Sequence, residues 1–353
     1  MIIRIICIIL AFFLCTGAVI FGGAIYLNAP PNSDHLLSGY ILPADGIRLD
    51  EAGNLIIEVR NGETALSVGN RLEQAGIIRS RLLWQLLFRM DGEHVKTGTY
   101  SIALPSSLTA IRSILVEGRQ LLIRVTIPEG FTISQIAGIM ENEGICSRDD
   151  FIAAASSTSL LIMFNIPGTT MEGYLFPDTY LFPLAYPARM VVETMAINFF
   201  RRLTNIAPGY HNLSPRELNN MVILASIVER EYRAPDEAAL MAGVFQNRLN
   251  IGMMLQSCAT VVYVLTEIMG RPHPERLFNR DLEVRDPYNT YMYTGLPPGP
   301  ISAPGETALR GVFEPASSNY LYFRLIDPAS GRHYFSHTFD EHIRAGDLLV
   351  KGW

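Results

Sequence analysis

Residues 5–27 carry no charged side chain and are almost wholly apolar, a run long enough to cross a bilayer as one helix. The chain therefore either begins with a cleaved leader or is tethered to a membrane. A leader has a shorter apolar core followed by a small-x-small site. Asn28-Ala29-Pro30-Pro31 is a poor cleavage context, and no small residue precedes Cys15 to make a lipoprotein site. We expect a retained single-pass anchor within residues 1–31. Arg4 on the short leading side favours an N-terminus in the cytoplasm. The bulk of the chain would then lie on the periplasmic or wall side of the cytoplasmic (inner) membrane.

The 353 residues suffice for two domains besides that anchor. Of four cysteines, Cys7 and Cys15 fall in the apolar run, leaving Cys146 and Cys258. Their spacing fits neither a zinc ribbon nor a disulfide framework. One bridge between them or two unpaired small hydrophobes remain, and we expect the second. A net charge of −6 with no basic run argues against nucleic acid as a partner. No Gly-x-Ser-x-Gly elbow or Gly-rich phosphate loop is present. His333, His337 and His342 crowd the C-terminal end, but 332–339 reads as an aromatic strand or hairpin that spreads them apart. We expect no metal and no organic cofactor.

Residues 32–52 read as a polar Pro/Gly-containing linker. After it, 55–59 reads as a strand, 64–75 and 80–90 as amphipathic helices, and 95–102 as a strand. This β-α-α-β order suggests a small module over 53–120. Further on come a helix over 106–119, a β-branched strand over 121–127, and helices over 134–143 and 149–156. Helices and strands do not alternate regularly, so the fold class is α+β, with a larger domain over 121–353.

The most informative helix begins at Ser214-Pro215-Arg216-Glu217, a capping box with proline at the first helical position. It runs to about Arg233, because Ala234-Pro235 discourages continuation. Met221, Leu224, Ala225, Val228 and Tyr232 form its apolar stripe, and Glu229 sits at the stripe's edge. A carboxyl against apolar walls has its pKa raised, which suits a general acid near neutral pH. The bland alternative is a surface ion pair between Glu229 and Arg233. Glu231 lies about 200° round the helix from Glu229, so those two cannot act as one pair. Glu172, Glu283 and Asp286 are the other loop carboxylates. Glu172 is the best second acid among them, its alternative being a structural acid that accepts backbone N–H groups.

Several ordered motifs accompany this helix. They are Thr97-Gly98-Thr99-Tyr100, Ile127-Pro128-Glu129-Gly130 and Glu172-Gly173-Tyr174-Leu175-Phe176-Pro177-Asp178-Thr179-Tyr180, then Ala225 to Glu231 and Arg248 to Ser257. Tyr288-Asn289-Thr290-Tyr291 and Gly295-Leu296-Pro297-Pro298-Gly299-Pro300-Ile301 complete the series. In this order the chain resembles the YceG-like family of endolytic murein transglycosylases. The resemblance implies a LysM-like, peptidoglycan-binding module over 53–120, for which a plain spacer is the alternative, and a catalytic domain over 121–353. It also implies cleavage within glycan strands, tied to ending their synthesis near the membrane and beside peptidoglycan synthases. The family usually carries Asp-Pro where this chain has Cys258-Ala259.

A transglycosylase of this kind needs one carboxyl group, here Glu229, since the 6-hydroxyl of N-acetylmuramic acid attacks its own anomeric carbon. A hydrolase would use two, with Glu172 as the second. A non-catalytic wall-binding scaffold is the remaining alternative. Gln256, Asn289 and Tyr291 are candidates to grip acetamido and hydroxyl groups, or else to hydrogen-bond their own loops, and Glu172 is a further substrate-binding candidate.

Overall fold

The computed structural model describes residues 2–31, 45–50 and 52–348, with side chains from Cys15 onward. Helix α1, Ile2–Asn28, covers the apolar run. The side chains of 2–14 lie outside the described residues, so the expected anchor falls partly beyond them. Among the described residues no helix is long and apolar enough to cross a membrane. Most of the expected linker, 32–44, also lies outside them. The architecture is α+β and divides into two compact units, 1–123 with 183–185 and 124–182 with 186–353.

In the first unit β1 (Ile47–Leu49), β2 (Leu55–Val59) and β3 (Gly98–Ile102) form an antiparallel sheet with β2 in the middle. Helices α2 (Ala65–Gln74), α3 (Arg81–Asp91) and α4 (Leu108–Glu117) complete it. The end of the stretch read as linker is in fact strand, with Ile47 opposite Ile57. Asp50 turns the chain back: its Oδ1 accepts the N–H of Ala52 and Asn54, and Gly53 takes a left-handed φ of 81°. The core forms around Trp84, which is fully buried and donates its indole N–H to Ala65 O at 2.7 Å. Arg79 donates to Pro30 O at 2.8 Å and the Thr109 N–H to Asn28 Oδ1 at 3.0 Å, so this unit grips the end of α1.

Most of β4 (Leu122–Thr126) and of its partner β5 (Thr179–Pro183) belongs to the second unit. Between them lie α5 (Ile133–Asn142), α6 (Arg148–Ala155) and α7 (Thr158–Met163). After β5 come α8 (Ala188–Ile206), α9 (Pro215–Glu231) and α10 (Ala238–Asn250). Then follow α11 (Cys258–Tyr263), α12 (Asn279–Leu282) and α13 (Glu306–Phe313). An antiparallel hairpin, β6 (Tyr322–Asp327) with β7 (Arg332–Ser336), precedes α14 (Phe339–Arg344). Helix α9 is the hub, packed on α10, α11 and α13. The run from Val222 to Val228 is buried throughout. The expected capping box forms: Ser214 Oγ accepts the Glu217 N–H, and the Glu217 carboxylate accepts the Ser214 N–H at 2.8 Å. In the hairpin, the buried His333 ring is bonded to Glu237 at 2.8 Å, and the His337 ring lies 3.2 Å from Asn319 O.

Candidate active site

The site forms in the last turn of α9, and a small residue one turn earlier positions it. Ser226, an oddity in an apolar run, donates its hydroxyl to Ile223 O at 2.7 Å and accepts the Ile301 N–H at 3.0 Å. Ser302 Oγ donates to Ser226 O at 3.1 Å. The loop following Pro300 is thus pinned to the helix. Its continuation reaches the 130 loop, where the Gly130 N–H donates to Ala303 O and the Ala303 N–H to Phe131 O, both at 2.8 Å.

Two segments distant in sequence therefore close over Glu229. Its Oε2 accepts the Gly305 N–H at 2.9 Å, and Tyr232 Oη lies 3.4 Å from Oε1. The ion pair with Arg233 does not form: Glu229 turns to Gly305, and Arg233 stays exposed. Burial pushes the Glu229 carboxyl up to about 7, against the pull of the Gly305 N–H and with help from the neighbouring Glu129 charge. The side chain remains partly exposed. A carboxylic acid that is half protonated near neutral pH and open to solvent can give and take back a proton.

Glu129 is the residue that sequence reasoning missed. A Cβ added to Gly305 would lie 1.8 Å from Glu129 Oε1, so this carboxylate rests against the glycine whose N–H holds Glu229. The Pro-Glu-Gly turn was visible, but no spacing rule links position 129 to position 229. Glu129→Gln removes a like charge, so the Glu229 carboxyl should ionise at lower pH. We expect the alkaline limb of a kcat/KM–pH profile to move to lower pH in this variant. An unmoved limb would show that Glu129 does not act on Glu229.

Glu172 accepts a backbone N–H rather than facing Glu229. It is buried, both oxygens lie 3.2 Å from the Ile133 N–H at the start of α5, and no hydrogen bond joins it to Glu229. Burial pushes its carboxyl up to about 8. The folded chain therefore keeps a proton that the unfolded chain has released between about 4.5 and about 8, and stability falls as pH rises through that window. Glu172→Gln is neutral at every pH. It should flatten the decline in unfolding free energy between about pH 5 and about pH 9 by on the order of a few kcal/mol, measured by urea denaturation. An unchanged slope would contradict the assignment.

Glu231 points elsewhere, as the helical geometry requires. It accepts the Ser257 hydroxyl, and burial raises its pKa. It thereby anchors the loop that carries Gln256, whose own N–H donates to Thr290 O at 3.1 Å and whose φ is 50°. The Ser257 N–H donates to Thr290 Oγ1 at 3.0 Å, so the Gln256 and Tyr291 segments lie side by side. Gln256 is exposed, and Tyr291 places its hydroxyl 3.2 Å from Cys258 Sγ. Asn289 is fully buried. Its amide donates to Leu282 O at 2.9 Å and Val284 O at 2.8 Å, and its Oδ1 accepts the Tyr291 N–H at 3.0 Å. Those bonds give Asn289 the loop-holding role. Cys146 and Cys258 are both free thiols.

Residues 57–347 match the sequence profile of the YceG-like family. An endolytic murein transglycosylase of Streptococcus pneumoniae serotype 2 is 26% identical over 317 residues, covering 82% of this chain and 57% of that protein. An endolytic murein transglycosylase of Bacillus subtilis is 26% identical over 323 residues, covering 86% of this chain and 87% of that protein. The chain thus spans little more than half the length of the pneumococcal relative. A crystal structure of a YceG-like protein from Listeria monocytogenes has a TM-score of 0.55 and 27% identity, covering 82% of this chain and 98% of that one.

Proposed function

The chain belongs to the YceG-like family, and we propose that it is an endolytic murein transglycosylase with Glu229 as its acid and base. One observation carries this reading: a partly exposed carboxyl held near pH 7 beside a backbone N–H and a second carboxylate. Glu229 protonates the oxygen that joins C1 of N-acetylmuramic acid to N-acetylglucosamine, and that C–O bond breaks. The muramoyl 6-hydroxyl closes on C1, and the Glu229 carboxylate takes its proton. The products are a free 4-hydroxyl on one fragment and a 1,6-anhydro end on the other. Water is neither consumed nor released.

Intramolecular attack gives the nucleophile a high effective concentration. The Glu129 carboxylate supplies negative charge near the oxocarbenium-like centre. Gln256 and Tyr291, on neighbouring loops, are our candidates for contacts to the glycan's polar groups. In this reading α1 is the single-pass membrane anchor, the first unit is a LysM-like peptidoglycan-binding module, and the enzyme ends nascent strands beside the synthases.

The presence of Glu129 also favours a second reading, a hydrolase in which Glu129 rather than Glu172 activates water. Fragment masses separate the two. With purified glycan strands, transglycosylase action leaves ends one water lighter than reducing ends and resistant to borohydride reduction. Reducible ends alone would establish the hydrolase.

A further inference from the structure

On the Arg230 side of α9 lies a polar cavity of about 240 Å³ that the proposed reaction does not use. Its wall includes Arg230, Arg271, His273, Glu267, Thr132 and Gln135. Arg230 donates one guanidinium N–H to Gly130 O at 2.9 Å, which leaves other donors free. Arg271 is exposed, and among the described residues its side chain has neither a hydrogen bond nor an ion pair. The wall thus brings two guanidinium charges against one carboxylate, Glu267, beside the imidazole of His273. A concave site with surplus guanidinium donors matches a carboxylate, which arginine binds through paired N–H groups.

Arg230, in the cavity wall, directly follows Glu229 on α9. A Cβ built on Gly130 would lie 3.4 Å from Arg230 Cδ and 3.8 Å from Glu229 Cγ, so the bare backbone of Gly130 faces both side chains. The acidic substituent of a muramoyl ring is the lactyl ether. It ends either in its own carboxylate or in a stem peptide that carries further carboxylates.

We propose that this cavity is a carboxylate subsite that reads the lactyl arm of the muramoyl residue at the cleavage point. The proposal rests on the glycan-cleaving reading above. It makes the enzyme selective for muramoyl strands over a glycan built of N-acetylglucosamine alone.

The test measures binding without turnover, using the full chain carrying Glu229→Gln. Three probes of equal sugar length are titrated: strands with stem peptides, amidase-stripped strands with a bare lactyl carboxylate, and a chitooligosaccharide with neither. One or both muramoyl strands should bind about tenfold or more tightly than the chitooligosaccharide, as a charge-assisted contact requires. The strand that shows the preference identifies which carboxylate is read. Adding Arg271→Gln should bring the ratio close to one, and Arg271 is exposed enough for the chain to fold without it. Equal binding of all three probes would overturn the subsite alone, as would a preference that survives Arg271→Gln. Binding of none would remove the glycan reading itself.

Discussion

Glu229→Gln is expected to lower kcat on glycan strands by about a thousandfold, the size of effect that a lost general acid produces. The amide keeps an oxygen for the Gly305 N–H, so shape and loop closure persist while the transferable proton is gone. Strand binding should change by no more than a few-fold, and thermal unfolding should move little. In the parent, kcat/KM should fall as pH rises through about 7, because the free enzyme must present the protonated acid. A variant that turns over strands at the parental rate would show that some other group protonates the leaving oxygen.

Gly173→Ala is expected to destabilise the second unit by about 2–4 kcal/mol, as a strained φ plus overpacking would. Gly173 sits at a φ of +83°, where an L side chain is strained, and its new Cβ would lie 2.5 Å from Pro300 Cβ and 3.0 Å from Val222. Neither side can give easily. Pro300 belongs to a proline-rich loop held on α9, and the next residue, Tyr174, is tied by its hydroxyl to Asn219 at 2.9 Å. The variant therefore also displaces the loop that delivers Gly305 to Glu229. A urea midpoint that falls with an unchanged slope is the expected reading. A change below about 0.5 kcal/mol, typical of an unconstrained surface position, would mean that this contact does not lock the loop.

These two residues mark what was legible in the sequence. Helix α9 was readable from its ends and its stripe because capping and amphipathicity are local: Ser214, Pro215 and Glu217 start it, and Pro235 lies just beyond its end. The place of Glu229 at the edge of the apolar stripe and the exclusion of Glu231 follow from helical geometry. The β-α-α-β order of the first unit was readable for the same local reason. Ile47–Leu49 was not, because its pairing depends on a turn at Asp50 within a polar stretch.

What escaped the sequence is long-range. Glu129 reaches the site because Gly130 and Phe131 bond to Ala303, a contact across more than half of the second unit's chain. Ser226 is a polar residue within an apolar run, and only the fold shows that it pins Ile301 and Ser302. Asn289 had the right chemistry for gripping a sugar, and only burial and three backbone partners reveal that it holds its own loop. The capture of Glu172 by the Ile133 N–H at the α5 N-terminus is another long-range contact that no local pattern announces.

The central claim is that one carboxyl, Glu229, carries the proton both ways while the substrate's own hydroxyl displaces the leaving sugar. Glu129, close beside it, makes water activation the competing chemistry. Cleavage of purified strands in heavy-oxygen water tests the two most directly. The account predicts anhydro ends with no heavy oxygen incorporated at the new muramoyl C1. One heavy oxygen at the new muramoyl C1 from the first turnover, with none at the new 4-hydroxyl end, would contradict it.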